Sequence, residues 1–167
     1  MIDEITAERL KRFELLDAPG HLLRRNHQRS LEIFTRHVGD DVTRQQIALL
    51  IALAQRDTSS QRDLVEATGI DKSTLKEMLD RMIGRGWVLR ERHPIDSRAW
   101  AMRITASGTT MLHDRIDRIE AAQREIIAPL SVADQRLFMR CLRTLIGRGS
   151  SNAEADQSDA SLPISPE

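Results

Sequence analysis

The most constraining feature of the sequence is a four-residue break, Thr68-Gly69-Ile70-Asp71, set between two short amphipathic segments. Glycine tolerates the left-handed conformation that a sharp helix-to-helix turn requires. Around the break, Thr43…Gln46 and Ser60…Asp63 each place a hydroxyl three positions before a side chain that can return a hydrogen bond. That is the pattern of a reciprocal helix N-cap, and Ser131…Asp134 repeats it while Asp71…Thr74 is a weaker version. Each cap contributes about 1 kcal/mol. Their spacing predicts three short helices in tandem, over 43–55, 60–68 and 71–85. In the third, Leu75, Met78, Leu79, Met82 and Ile83 fall on one face and Ser73, Lys76, Glu77, Asp80 and Arg81 on the other. Gly84-Arg85-Gly86 stops it. Two strand candidates follow, Trp87–Arg92 and Ala99–Ile104, joined by His93-Pro94-Ile95-Asp96-Ser97, where the proline favours a turn. A hairpin directly behind a helix-turn-helix is a winged helix.

The flanks read as helices. Residues 5–16 form a short one, broken near Asp17-Ala18-Pro19-Gly20, and residues 21–37 a longer one with Leu22, Leu23, Leu31, Ile33, Phe34 and Val38 as its apolar stripe. One long helix is expected from Thr105 to about Pro129, and a last one from Ser131 to Arg148. Beyond Gly149 the Ser, Asp, Ala and Pro content reads as a disordered tail. The expected fold class is mostly α with a small β-hairpin wing, in four stretches. These are 1–40 (N-terminal helices), 41–104 (winged helix-turn-helix), 105–149 (C-terminal helices) and 150–167 (acidic tail). Aromatic residues make up only 3% of the chain and tyrosine is absent, which argues against a large sandwich or barrel.

Charge and cysteine content exclude several classes. The 25 basic and 25 acidic residues cancel, whereas a nucleic-acid binder usually carries a basic excess. Glu154, Asp156, Asp159 and Glu167 give the tail −4 and leave +4 elsewhere, so any affinity for DNA must come from local placement. A single cysteine, Cys141, rules out an intrachain disulfide and a multi-cysteine zinc site; it reads as a small buried thiol. His21, His27 and His37 lack ligand spacing on one helical face, so no metal or other cofactor is expected. No apolar run reaches membrane-span length and the first residues do not resemble a signal peptide, so a cytoplasmic location with no membrane partner is expected. No nucleophile elbow, phosphate loop or paired-carboxylate motif points to an enzyme. Met78, Met82, Met102 and Met111 read as core filling.

The helix over 71–85 is the candidate for reading DNA. A major groove about 12 Å wide accepts one α-helix, whose leading residues meet base edges. Lys72, Ser73, Thr74 and Lys76 sit on that leading turn. The hydroxyls can donate or accept, Lys76 can bond guanine or phosphate, and Glu77 can accept from cytosine. Arg81 and Arg85 further along, and Ser60 at the head of the preceding helix, complete the candidate surface, with Arg90 and Arg92 as further phosphate contacts and pairing within the domain as the alternative for Arg90. At the hairpin tip Arg98 can enter a minor groove, held by Asp96. The plainer alternatives are a solvated helix face and a surface ion pair.

The stretches Thr43-Arg-Gln-Gln-Ile-Ala-Leu-Leu, Asp63-Leu-Val-Glu-Ala-Thr-Gly-Ile-Asp-Lys-Ser-Thr-Leu and Leu79-Asp-Arg-Met-Ile-Gly-Arg-Gly-Trp-Val-Leu-Arg resemble the MarR family of bacterial regulators. So do Pro94-Ile-Asp-Ser-Arg-Ala and Ile104-Thr-Ala-Ser-Gly, and the resemblance covers about residues 10–147. It implies a homodimer built from the N- and C-terminal helices and a pseudo-palindromic double-stranded DNA operator, commonly repressed. It also implies release by a small aromatic ligand, and assigns Asp96 and Arg98 to the wing. His21, Arg24 and Arg25 near the start of a helix can hold a carboxylate, similar to family members that answer to aromatic acids or their coenzyme A thioesters. Alternatively, the arginines form intersubunit salt bridges and His21 packs. A winged-helix module that binds another protein is the competing function, with the zero net charge as its clue.

Overall fold

The computed structural model describes residues 3–92 and 100–147, the side chain of Glu4 excepted. Among these residues eight α-helices and one hairpin follow in the order α1 (Glu4–Arg12), α2 (Pro19–Val38), α3 (Arg44–Ala54), α4 (Gln61–Thr68), α5 (Lys72–Gly84), β1 (Val88–Arg92), β2 (Trp100–Ile104), α6 (Ala106–His113), α7 (Ile116–Ile127) and α8 (Val132–Leu145). A 3₁₀ turn, Leu15–Asp17, lies between α1 and α2. The predominantly helical fold with a two-stranded wing is therefore as the sequence indicates. The described residues up to Ile126 form one compact unit and the described residues from Ile127 on a second. The hairpin tip with Pro94, Asp96 and Arg98, and the acidic tail, lie outside the described residues.

Within the first unit the core runs from α2 to α7. Phe34 and Val38 of α2 meet Ile47, Leu49, Leu50 and Leu53 of α3, Leu64 of α4, and Leu75, Met78, Leu79 and Met82 of α5. Val88, Met102, Met111, Leu112 and Ile119 close it. All four methionines assigned to the core are buried there. The four N-caps form as the spacing predicts: Thr43 with Gln46 and Ser60 with Asp63 make reciprocal boxes, Asp71 accepts from the Thr74 amide, and Ser131, at the head of α8, accepts from the Asp134 amide. Gly69 ends α4 at φ 69°, the left-handed value that turns the chain into α5.

β1 and β2 pair antiparallel, Val88 with Ile104 through Arg92 with Trp100. Ser59, just before α4, adds a bridge to Met102, so the wing stem is hydrogen-bonded to the start of the helix-turn-helix. The next helix crosses the same region closely. A Cβ on Gly108 of α6 would collide with the Trp87 carbonyl, and the Thr105 hydroxyl donates to the Gly86 carbonyl at 2.6 Å. Only glycine lets α6 lie this near the strand.

Three expectations are corrected. Pro19 starts α2 rather than separating two helices, because its missing N–H costs nothing at the first helical position. The long helix over 105–129 is two helices, broken at Asp114-Arg115 with neither proline nor glycine at the break. There the Arg115 guanidinium reaches the Asp41 carboxylate at 2.8 Å, a tie from 74 positions away that no local pattern reveals. Cys141 is exposed, since no residue of α8 is buried within the chain.

Candidate nucleic-acid interface

The predicted reading helix is α5, and the core fixes which way it faces. Leu75, Met78, Leu79 and Met82 are buried, which leaves Lys72, Ser73, Lys76, Glu77, Asp80 and Arg81 exposed along the other side, with Thr74 half-buried. At 13 residues the helix is roughly 20 Å long, enough to lie along a groove. Its first turn is ordered from within. The Ser73 hydroxyl donates to the Asp71 carboxylate at 2.6 Å and the Thr74 amide donates to it at 3.0 Å. These bonds, Ser73 foremost, hold the Asp71 carboxyl far below the usual carboxylate range. Ser73 is therefore both an exposed group and a fixer of the cap.

Ser60 stands at the head of α4 and is occupied by capping. Its hydroxyl donates to Asp63 at 2.8 Å and accepts from the Asp63 amide at 3.2 Å. The Ser60 amide, then its hydroxyl, holds the Asp63 carboxyl below its usual range. Arg85 sits at the far end of α5 from Lys72. Its guanidinium donates to the Asp41 carbonyl at 3.0 Å and lies over the Trp87 ring, 4.8 Å from the centroid. It joins the helix to the α2–α3 loop. Asp41 thus takes Arg85 on its carbonyl and Arg115 on its carboxylate, linking the end of α5 to the α6–α7 break.

On the wing stem, Arg90 and Arg92 are exposed and lie over the ring of Trp100, at 4.4 and 4.2 Å. Across the sheet Glu91 pairs with Arg103 at 3.1 Å. The sequence pattern marks Trp100 only as part of a strand candidate and gives Asp41 no role. The alternation of β1 was the available signal for the first; none pointed to the second.

The three residues assigned to an effector lie on the first two turns of α2: His21 is half-buried, and Arg24 and Arg25 are exposed. Arg25 borders an open polar depression with Gln28, Arg29 and Glu32. Further along, the Arg44 guanidinium of α3 donates to the Ser30 hydroxyl at 2.7 Å and faces the His27 ring at 3.4 Å. Arg36 and His37 both bind Glu125 of α7, His37 at 2.7 Å. Among the described residues no group of three histidine, cysteine or carboxylate side chains is arranged to hold a metal ion. No described helix is long and apolar enough to cross a membrane.

Comparison with known proteins agrees with this geometry. A family model described as MarR family matches residues 42–100, which contain α3, α4, α5 and β1. Transcriptional regulator HosA of Escherichia coli is 36% identical over 66% of this chain and 82% of its own. The regulator PcaV of Streptomyces coelicolor, solved in complex with its natural ligand, superposes with a TM-score of 0.77 at 30% identity, over 81% of this chain and 96% of PcaV. BpsR of Bordetella bronchiseptica, whose DNA binding is regulated by 6-hydroxynicotinic acid, superposes with a TM-score of 0.77 at 26% identity, over 80% of this chain and 96% of BpsR. A helix-turn-helix with an exposed polar edge, a wing behind it and these relatives together place the chain: it belongs to the MarR family of DNA-binding transcriptional regulators, which are not enzymes.

Proposed function

We propose that the chain is a cytoplasmic, ligand-responsive repressor that binds a pseudo-palindromic operator as a homodimer. The observation that carries this reading is α5. Its apolar side is locked in the core, so its exposed edge of Lys72, Ser73, Lys76, Glu77 and Arg81 is presented in a fixed orientation. A fixed polar edge suits a major groove, whereas a helix free to roll would lose register. Ser60 and Thr74 flank that edge, Asp96 and Arg98 would extend it into the minor groove, and Arg85 would serve the reading helix by anchoring its end. Residues 1–40 and 105–149 would supply the dimer contacts on either side of the module over 41–104. The large apolar side chains left exposed in α1 and α8 support that division.

His21, Arg24 and Arg25 would hold the carboxylate of an aromatic acid or the anionic part of its thioester. The alternative for the arginines is a salt bridge to the second subunit. An effector that favours a dimer with the wrong half-site spacing would release the operator, with a typical coupling of about 1–3 kcal/mol.

A gel-shift titration against duplexes selected from a random pool tests the central claim. Lys76→Ala is expected to weaken the selected duplex by roughly 1–3 kcal/mol with an unchanged circular dichroism spectrum. Unchanged affinity would remove α5 from the interface. Binding to a protein partner that salt does not weaken would favour the protein-interaction module to which the zero net charge points.

A further inference from the structure

One exposed residue of the α2–α3 loop gathers three elements. Asp41 precedes Val42, which is buried in the core and holds the loop in place. The Asp41 carbonyl accepts from the Arg85 guanidinium at 3.0 Å, and its carboxylate accepts from the Arg115 guanidinium at 2.8 Å. Arg85 is the residue that ends α5, and Arg115 stands at the break between α6 and α7. The Arg115 side chain is only 22% exposed, and its Nε–H is buried without an acceptor among the described residues. A shielded cation is costly unless it is paired, and an aliphatic side chain would fill such a place at less cost. The head of α6 is tied to the end of α5 as well. The Thr105 hydroxyl donates to the Gly86 carbonyl at 2.6 Å and the Thr105 amide to the Trp87 carbonyl at 3.0 Å. Both ends of α6 are thereby bonded to the 85–87 turn, the near end directly and the far end through Asp41.

We infer that Asp41 is a positioning residue for DNA recognition, fixing the end of α5 against the α6–α7 break so that two copies of the reading helix meet their half-sites at one spacing. The inference rests on the proposed homodimer and two-part operator, and it adds a residue that reading does not use. Burial of Leu75, Met78, Leu79 and Met82 decides which face of α5 turns outward. Apolar burial is non-directional, however, and resists small slides of a helix along its axis only weakly. Hydrogen bonds depend steeply on distance and angle, so they hold such a slide in check. α5 packs chiefly on α4 and β1, and α6 on α3, so the directional link from the end of α5 to the α6–α7 break is made by the two acceptors of Asp41. Residues 105–149 are proposed to supply dimer contacts, and a shift at this junction would move one reading helix relative to its copy. A two-part operator responds to that distance, because its half-sites lie at a set spacing along the duplex.

The test titrates the full chain with the selected duplex and with versions whose half-sites are one base pair closer or farther apart. The starting protein is expected to prefer the selected spacing about tenfold. Asp41→Ala keeps the carbonyl for Arg85 and loses the carboxylate. It should cut that preference to about threefold or less and leave an unrelated duplex within about twofold, since it removes no cation that could meet phosphate. Arg115→Met should flatten the preference likewise, and Asp41→Ala/Arg115→Met no more than either alone, as one shared interaction requires. Asp41→Glu returns a carboxylate at an exposed position and is expected to restore the preference to within about twofold. A role in stability alone would lower the folded fraction and weaken every duplex by the same factor, leaving the ratio between spacings unchanged. The proposal is overturned if Asp41→Ala keeps the full preference, if glutamate fails to restore it, or if the effects of the two substitutions add. Should Asp41→Ala unfold with Arg115 left unpaired, the double variant lacks both charges and takes its place; an undiminished preference there overturns the proposal. Lys76→Ala separates the two readings. If it weakens the selected duplex while the Asp41 variants keep the full spacing preference, the junction fails and the reading helix stands. A starting protein indifferent to spacing sinks the two-part operator and the junction together.

Discussion

Helices α3 and α8 begin alike and end differently. Each starts at a hydroxyl N-cap, and each carries leucines along its length. In α3 six residues are buried, Leu49, Leu50 and Leu53 completely. In α8 none is buried; Val132, Leu137 and Leu145 are 67%, 47% and 71% exposed. α1 resembles α8, with Ile5 and Leu10 at 75% and 62%. A cap and an apolar stripe specify that a helix forms, but what the stripe packs against is a separate matter. In α3 the surface is supplied by the same unit of the chain. The exposed stripes of α1 and α8 are consistent with the dimer proposed above.

The contrast can be broken at four points. The largest effect is expected from Leu50→Ala, which removes a completely buried side chain. It should cost about 2–5 kcal/mol in denaturant unfolding, since the surrounding core cannot fully collapse onto the space. Gly108→Ala comes next. The added methyl meets the Trp87 backbone rather than a side chain able to swing away, so a loss of roughly 1–3 kcal/mol is expected in the same measurement. Both losses would arise in the core of the first unit.

On the other side of the contrast, Leu145→Ser should act through association. Sedimentation over a concentration series is expected to show dimer dissociation raised about tenfold, equivalent to about 1.4 kcal/mol. An unchanged sedimentation profile would place α8 outside the interface. The smallest effect concerns the tie between α2 and α7. The hydrogen bond from His37, and then Arg36, keeps the Glu125 carboxyl below its ordinary 4.5. A carboxyl lowered in the folded state adds stability above its ordinary value and loses it as pH falls through the folded one. Thermal melts of Glu125→Gln should therefore lie below those of the starting protein near neutral pH, and the two should converge as the solution is acidified below 4.5. Curves that stay parallel to low pH would show that this carboxylate contributes nothing through its charge.

Much of the interface is legible in the linear order of residues. The caps at Thr43, Ser60 and Asp71, the glycine turn at Gly69 and the division of α5 into an apolar and a polar side are all relations among residues a few positions apart. Such relations are set by backbone geometry and helical period, so local pattern is enough to specify the helix-turn-helix and the edge it exposes. Local pattern does not say which cations are occupied. Arg81, Arg85, Arg90 and Arg92 look equivalent along the chain, yet Arg85 is bound to the Asp41 carbonyl 44 positions away and Arg90 and Arg92 share one indole. Nor does it mark the break at Asp114-Arg115, where the Asp41 carboxylate draws Arg115 from 74 positions away. Pairings of that kind depend on where the packed core brings distant segments together. They are settled in three dimensions, because an arginine side chain reaches several ångströms in any direction and its partner is whichever acceptor the fold puts there.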